Sequence, residues 1–98
     1  MKKGHLYRIT VEYLKDIKGE AVEKEPLTFE TTNHDEIFQI VERIRNKGLF
    51  DEAEAAAFAV GLKLFSEVML NNRDSDLFKP LRPAFGEFMQ GLKKGNRS

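Results

Sequence analysis

The chain contains no cysteine and no tryptophan, and neither sign of charge is in excess. The absence of cysteine excludes disulfides, thiolate metal sites and a cysteine nucleophile. Its 16 Lys and Arg residues balance 16 Asp and Glu residues, so no net charge attracts it to nucleic acid or anionic lipid. We therefore expect neither of these as a partner.

Long apolar runs are also missing. The least polar stretch, AAAFAVGLKLFSEVML at residues 55–70, is interrupted by Lys63 and Glu67, well before the roughly 20 apolar residues that a membrane span needs. Residues 1–5 lead directly into an alternating pattern without an apolar signal segment, which predicts a cytoplasmic protein.

Sequence motifs for catalysis are absent as well. The chain has no G-x-S-x-G, no glycine-rich phosphate loop and no metal-ligand spacing. His34, Asp35 and Glu36 are adjacent in a predicted first helical turn, where their side chains diverge and where the helix dipole already favours acidic residues. We expect no enzyme activity, and no catalytic, cofactor-binding or metal-binding residue.

The composition that remains is that of a globular protein. The chain is 41% hydrophobic and 33% charged, which is typical of a globular protein. Its 98 residues are enough to form one modest hydrophobic core. We predict a single domain over residues 1–98, with a polar tail that frays from about residue 94.

The first 33 residues predict a β-hairpin. Two segments alternate apolar and polar residues, with the inward positions Tyr7, Ile9, Val11 and Tyr13, then Leu27 and Phe29. A three-residue loop at 17–19, with Gly19 in the left-handed conformation, places Ile9 opposite Leu27. The same register places Glu12 opposite Lys24, and Pro26 indicates an edge or a bulge.

Three helices follow. Asn33 is the predicted N-cap of the first, with Glu36 three residues on, and Gly48 ends it. Asp51 starts the central helix, which runs to about Asn71. A third begins at about Arg82, after an irregular turn. The predicted fold is α+β, with an N-terminal antiparallel β-hairpin packed on three α-helices and the central helix at about 51–71.

The central helix is apolar around most of its circumference, so we expect neighbours on several sides. Its narrow polar side is built around Lys63, Ser66 and Glu67. Small residues recur every four positions and allow close approach by another helix, which is either the last helix of the same chain or the same helix of a second copy. The loop at 71–76 is a second candidate surface. The predicted interaction residues are Ala53, Ala57, Gly61, Asn71, Asn72 and Arg73.

Four segments together resemble a known family. They are YRITVE at 7–12, NHDEIFQIVERIR at 33–45, AVGLKLFSEVML at 59–70 and RPAFGEFM at 82–89. With them the chain resembles a bacterial family of uncharacterised proteins, domain of unknown function 3861. The resemblance implies a compact α+β domain from a bacterium, and it implies no activity, substrate, cofactor or site residue.

Self-association is the function that the pattern favours. Two strands alone leave two unpaired edges, and Leu6 and Leu14 lie on the hairpin face opposite the inward set. We expect a non-enzymatic homodimeric interaction module, joined through hairpins or through central helices. The alternative is a small-molecule-binding protein with a cleft between hairpin and helices, in which Tyr7, Arg8 and Tyr13 contact the ligand.

Overall fold

Within residues 3–94, which the computed structural model describes, the chain forms a two-stranded antiparallel sheet and three helices. In chain order these are β1 (His5–Val11), β2 (Leu27–Asn33), α1 (Ile37–Lys47), α2 (Glu52–Asn71) and α3 (Arg82–Lys94). The predicted α+β class is confirmed. The predicted frayed tail lies outside the described residues beyond Lys94.

The chain divides into two compact units, Met1–His34 and Asp35–Ser98, which contain the sheet and the helices respectively. The single domain over residues 1–98 stays a prediction. No helix described between residues 3 and 94 combines the length and apolarity that crossing a membrane requires.

The hairpin pairs in a different register from the predicted one. Ile9 lies opposite Phe29, and not opposite Leu27, so the predicted register is wrong by two residues. A shift of two keeps every side chain on the same face of the sheet, because side chains alternate with a period of two. Each side chain therefore lies on the predicted face of the sheet, but it lies opposite a different residue of the other strand.

The shift arises between the hairpin tip and the main ladder. At the tip Lys15 pairs with Ala21, as the three-residue loop predicts, and Gly19 has a φ of 85°. The ladder resumes with Val11 opposite Leu27, so three residues of the first strand (12–14) face five of the second (22–26). Pro26 indicates an irregularity at this place in the strand, but the neighbouring residues do not predict how many residues are inserted.

One cross-strand ion pair follows from the observed register. Arg8 lies opposite Glu30, and its guanidinium donates a 2.8 Å hydrogen bond to the Glu30 carboxylate. The predicted pair of Glu12 and Lys24 is wrong, because Lys24 lies in the inserted segment of residues 22–26. Both side chains of the observed pair are more than half exposed, so it contributes little to stability.

The first helix begins later than predicted. Asn33 pairs with His5 at the end of β2, so its backbone is extended and it does not cap the helix. Glu36 is the N-cap, and its carboxylate accepts hydrogen bonds from the backbone N–H groups of Phe38 and Gln39. Both residues are plausible caps by sequence, and the continuation of the strand through residue 33 decides between them.

The turn between α1 and α2 is formed as predicted. Gly48 ends α1 in the left-handed conformation, with a φ of 72°, and its N–H donates to the Arg45 carbonyl. Asp51 caps α2 by accepting a 2.8 Å hydrogen bond from the Glu54 N–H. The Arg45 guanidinium also donates to the Glu52 carbonyl, which ties the last turn of α1 to the first turn of α2.

The core of the helical unit lies where α1 packs against the first half of α2. Ile44 of α1 is buried together with Ala55 and Ala59 of α2, and the two alanines are fully inaccessible. Their small side chains allow α1 to approach closely. Partly buried apolar residues surround this centre, namely Ile40, Val41, Phe50, Phe58 and Leu92.

Aromatic contacts connect α3 and the preceding turn to α2. Six of the eight phenylalanines form a chain of neighbouring rings, which we call the phenylalanine row, with centroids 5.2–6.3 Å apart. In order of contact they are Phe50, Phe58, Phe88, Phe85, Phe65 and Phe78. Tilted and edge-on pairs of this kind contribute about 0.5–1.5 kcal/mol each beyond their buried area.

Two glycine substitutions test this description of the helices. A Cβ at Gly86, inside α3, would meet no atom within 4 Å, so Gly86→Ala is expected to stabilise the chain by about 0.5–1 kcal/mol. Gly48→Ala is expected to destabilise it by about 1 kcal/mol, because an L side chain is strained at the left-handed helix end. Urea unfolding measures both changes, and two shifts of the same sign would contradict the assignment.

Candidate functional site

The central helix buries a different side from the predicted one. Its buried residues are Ala55, Ala59, Lys63 and Glu67, which recur every four positions along one face. The expectation of a solvent-facing polar side built around Lys63, Ser66 and Glu67 is therefore wrong for Lys63 and Glu67. Because α2 is apolar around most of its circumference, its hydrophobic pattern alone does not define which side is buried.

The opposite side of α2 is exposed within the single chain. Successive residues of an α-helix are rotated by 100° about its axis, and the residues of this side all project within about 40° of the direction of Gly61. We call this surface the exposed face, and it consists of Glu54, Ala57, Gly61, Phe65, Val68 and Asn72, all of which are exposed. Phe65 retains 41% of its accessible surface and Val68 retains 51%.

The predicted small residues lie on or beside this face. Ala57 and Gly61 belong to it, Ala53 borders it, and all three are exposed. A Cβ added at Gly61 would meet no atom within 4 Å. The interpretation in which the last helix of the same chain packs closely on Gly61 is therefore wrong, and α2 has its neighbours α1 and α3 on its other sides.

The buried side of α2 contains an ion pair that sequence reasoning missed. The Lys63 ammonium contacts the Asp35 carboxylate, with side-chain exposures of 10% and 32%. Glu67, one turn further along the same face, is also buried. An isolated ammonium is costly to bury, so Lys63 requires a carboxylate partner. The sequence feature that could have predicted these buried charges is a lysine and a glutamate four residues apart, on one face of an otherwise apolar helix.

The end of α2 uses its polar residues for local structure. The Asn72 side chain donates to the Val68 carbonyl, and its backbone N–H donates to the Met69 carbonyl, so Asn72 caps the helix. The Arg82 guanidinium donates to the Arg73 carbonyl, which fixes the turn ahead of α3. Asn71 and the Arg73 side chain are exposed at this end.

Three acidic residues at the starts of helices have structural partners. Asp35 pairs with Lys63, Glu36 caps α1 and Asp51 caps α2. Over residues 3–94, no three His, Asp or Glu side chains are grouped so as to hold a metal ion. In the hairpin, the Arg8 guanidinium already has a carboxylate partner in Glu30, and the Tyr7 ring lies 6.3 Å from that of His5.

A shallow surface depression of about 350 Å³ lies along α1. It is lined by Glu36, Phe38, Gln39, Glu42 and Arg43, all from the first two turns of this helix and its cap. Phe38 is 72% exposed, and the Glu36 carboxylate is engaged in capping. Because its lining comes from one helix and its cap, the depression is open to solvent and lacks the enclosure that a small-molecule site requires.

A double-mutant cycle tests the importance of the buried ion pair. Lys63→Met is expected to lower the free energy of unfolding by about 2–3 kcal/mol. That is less than for a fully buried pair, because a third of the Asp35 side chain is exposed. Combining it with Asp35→Asn measures the coupling energy. The exposed pair Arg8–Glu30 is the control, and its coupling should not exceed about 1 kcal/mol. Equal coupling energies for the two pairs would contradict the account.

Comparison with known proteins adds three findings. No curated protein matches the chain. The crystal structure of a protein of unknown function from Pectobacterium atrosepticum SCRI1043 is similar, with 39% sequence identity and a TM-score of 0.81. That match covers 94% of this chain and 99% of the Pectobacterium chain. A model of the family described as a domain of unknown function with a solved structure, DUF3861, matches residues 5–94, and this chain therefore belongs to that family.

Proposed function

We propose that this protein is a non-enzymatic homodimeric interaction module of the bacterial cytoplasm. The observation that carries the proposal is the exposed face of α2, where a helix rich in apolar residues presents Ala57, Gly61, Phe65 and Val68 to solvent. Contiguous apolar surface on a small soluble protein is typical of an interaction site. A second copy of the same chain is the simplest partner that covers it.

The surface beside the exposed face is also apolar. Phe88 of α3 contacts Phe58 and Phe85 in the phenylalanine row and still retains 45% of its accessible surface. Aromatic residues that are half covered by their own chain and half open resemble the anchors of protein interfaces. They lose little conformational freedom on binding, because their own chain already holds them.

The structural roles of acidic side chains support the non-enzymatic part of the proposal. Asp35, Glu36 and Asp51, three carboxylates at the starts of helices, are engaged in an ion pair or in helix caps. Groups committed to the fold in this way are poorly placed to exchange protons with a substrate.

Light scattering over a range of protein concentrations tests the dimer. We expect a dimer at tens of micromolar, and we expect Ala57→Glu to make the chain monomeric, because a carboxylate would be buried without a partner. Ala21→Glu is the matched control, since it makes the same change at an exposed alanine of the hairpin tip.

A monomeric wild-type chain at these concentrations would overturn the proposal. A third variant, Leu14→Lys, places a charge on a hairpin residue that is 68% exposed. If Leu14→Lys disrupts the dimer and Ala57→Glu does not, the hairpin forms the interface and α2 does not.

A further inference from the structure

The exposed face of α2 has two unlike halves that fit each other. Its N-terminal half carries the small side chain of Ala57, and its C-terminal half carries the larger side chains of Phe65 and Val68. Gly61, which has no side chain, lies between the two halves and is the tenth residue of the 20-residue helix Glu52–Asn71. A surface arranged in this way complements an identical surface that runs in the opposite direction.

We propose that two copies of the chain pack α2 against α2 in antiparallel orientation, with the two-fold axis passing at Gly61. This inference rests on the proposed homodimer and specifies its geometry. It places residue i of one copy opposite residue 122 − i of the other, so that Gly61 meets Gly61 and Ala57 meets Phe65. Each partially exposed Phe65 ring then lies on a small alanine.

Helix geometry brings these residues together on both sides of the axis. Relative to Gly61, Ala57 lies about 6 Å towards the N-terminus and about 40° to one side, and Phe65 lies about 6 Å towards the C-terminus and about 40° to the other. The two-fold axis of an antiparallel pair lies in the plane of contact, perpendicular to both helices, so it reverses the displacement along the helix and keeps the sideways one. It therefore places Ala57 of one copy level with Phe65 of the other, and the small and the large side chain pack side by side across the contact. The same operation brings Glu54 opposite Val68.

Gly61 allows the close contact that this packing needs. The site where its Cβ would project has no atom within 4 Å, so the backbone is open to a second helix. Small residues at a crossing point allow the two backbones to approach each other, and the larger side chains on either side then interdigitate. Gly61 has no positive φ, so backbone conformation does not require a glycine there.

The charges at the two ends of α2 favour the antiparallel direction. The first turn carries Glu52 and Glu54 after the Asp51 cap. The segment after the C-terminus carries three cations (Arg73, Lys79 and Arg82) and two acids (Asp74 and Asp76), a net charge of 3 − 2 = +1. Antiparallel packing brings the acidic end of each helix close to Arg73 of the other copy. Parallel packing would place the acidic ends together and align the two helix dipoles unfavourably. Rim charges of this kind select orientation more than they add affinity.

Cysteine cross-linking tests the axis, because the natural chain has no cysteine and each introduced thiol is unique. Gly61→Cys is expected to form a disulfide-linked dimer on mild oxidation, since a residue on the axis faces its own copy. Ala57→Cys is the control, because its two copies would lie about 12 Å apart, beyond the roughly 7 Å limit for a disulfide.

A mixture of two variants tests the register independently. Glu54→Cys and Val68→Cys should cross-link with each other when mixed, and neither should do so alone, because each is about 20 Å from its own copy. Both sites are exposed, so the substitutions leave the core intact. We expect the Gly61→Cys and mixed products to form at least about tenfold faster than the Ala57→Cys product, since the thiols are held together.

The outcomes separate the inference from the proposed function. Light scattering is performed on the same variants under reducing conditions, before oxidation. A dimer in which Gly61→Cys cross-links no faster than Ala57→Cys would overturn the α2 axis and leave the homodimer intact. A monomeric natural chain would overturn the homodimer and the axis together. A dimeric natural chain with a monomeric Gly61→Cys variant would support the axis, because a side chain at residue 61 would then separate the two helices. A dimer with rapid cross-linking at Gly61 and in the mixture would support both.

Discussion

The ion pair between Lys63 and Asp35 determines which side of the central helix is inside. Lys63 is almost fully buried, and an ammonium in that position is stable only with a carboxylate against it, which Asp35 provides at the start of the helical unit. With Lys63 turned inward, Ala55 and Ala59 share its face and pack against Ile44. Gly61, Phe65 and Val68 are then directed outward, because they lie on the opposite side of the same helix.

The exposed face is a consequence of this orientation. A chain of 98 residues has few elements that can pack on its central helix. Because this helix is apolar around most of its circumference, some of its apolar surface remains uncovered. The phenylalanine row covers part of this surface by joining α3 to α2, but Phe65 and Phe88 remain partly open. Small residues in one half and large ones in the other make the uncovered part complementary to itself. The interface that we propose thus follows from the way in which the helical core is formed.

Local sequence signals predicted the elements but not every partner. Asp51, Gly48 and Gly19 take their predicted roles, because caps and tight turns depend on a few neighbouring residues. Asn33 and the hairpin register were mispredicted, since a strand continues through residue 33 and a two-residue insertion precedes Leu27. The sequence pattern predicts that Lys63 and Glu67 face solvent, because two charged residues four positions apart are typical of the exposed side of a helix. The candidate residues Ala53, Ala57 and Gly61 were nevertheless found from their spacing, and their self-association remains a proposal.

The central claim is that one side of α2 is open in the single chain and covered by a second copy in the dimer that we propose. The rate at which a thiol reagent modifies Gly61→Cys, measured as a function of protein concentration, tests both halves of this claim. We expect rapid modification at high dilution, where chains are separate, and slow modification at tens of micromolar, where a second copy covers residue 61. Slow modification at every concentration would mean that the chain itself encloses this face. Rapid modification at every concentration would mean that no second copy covers it.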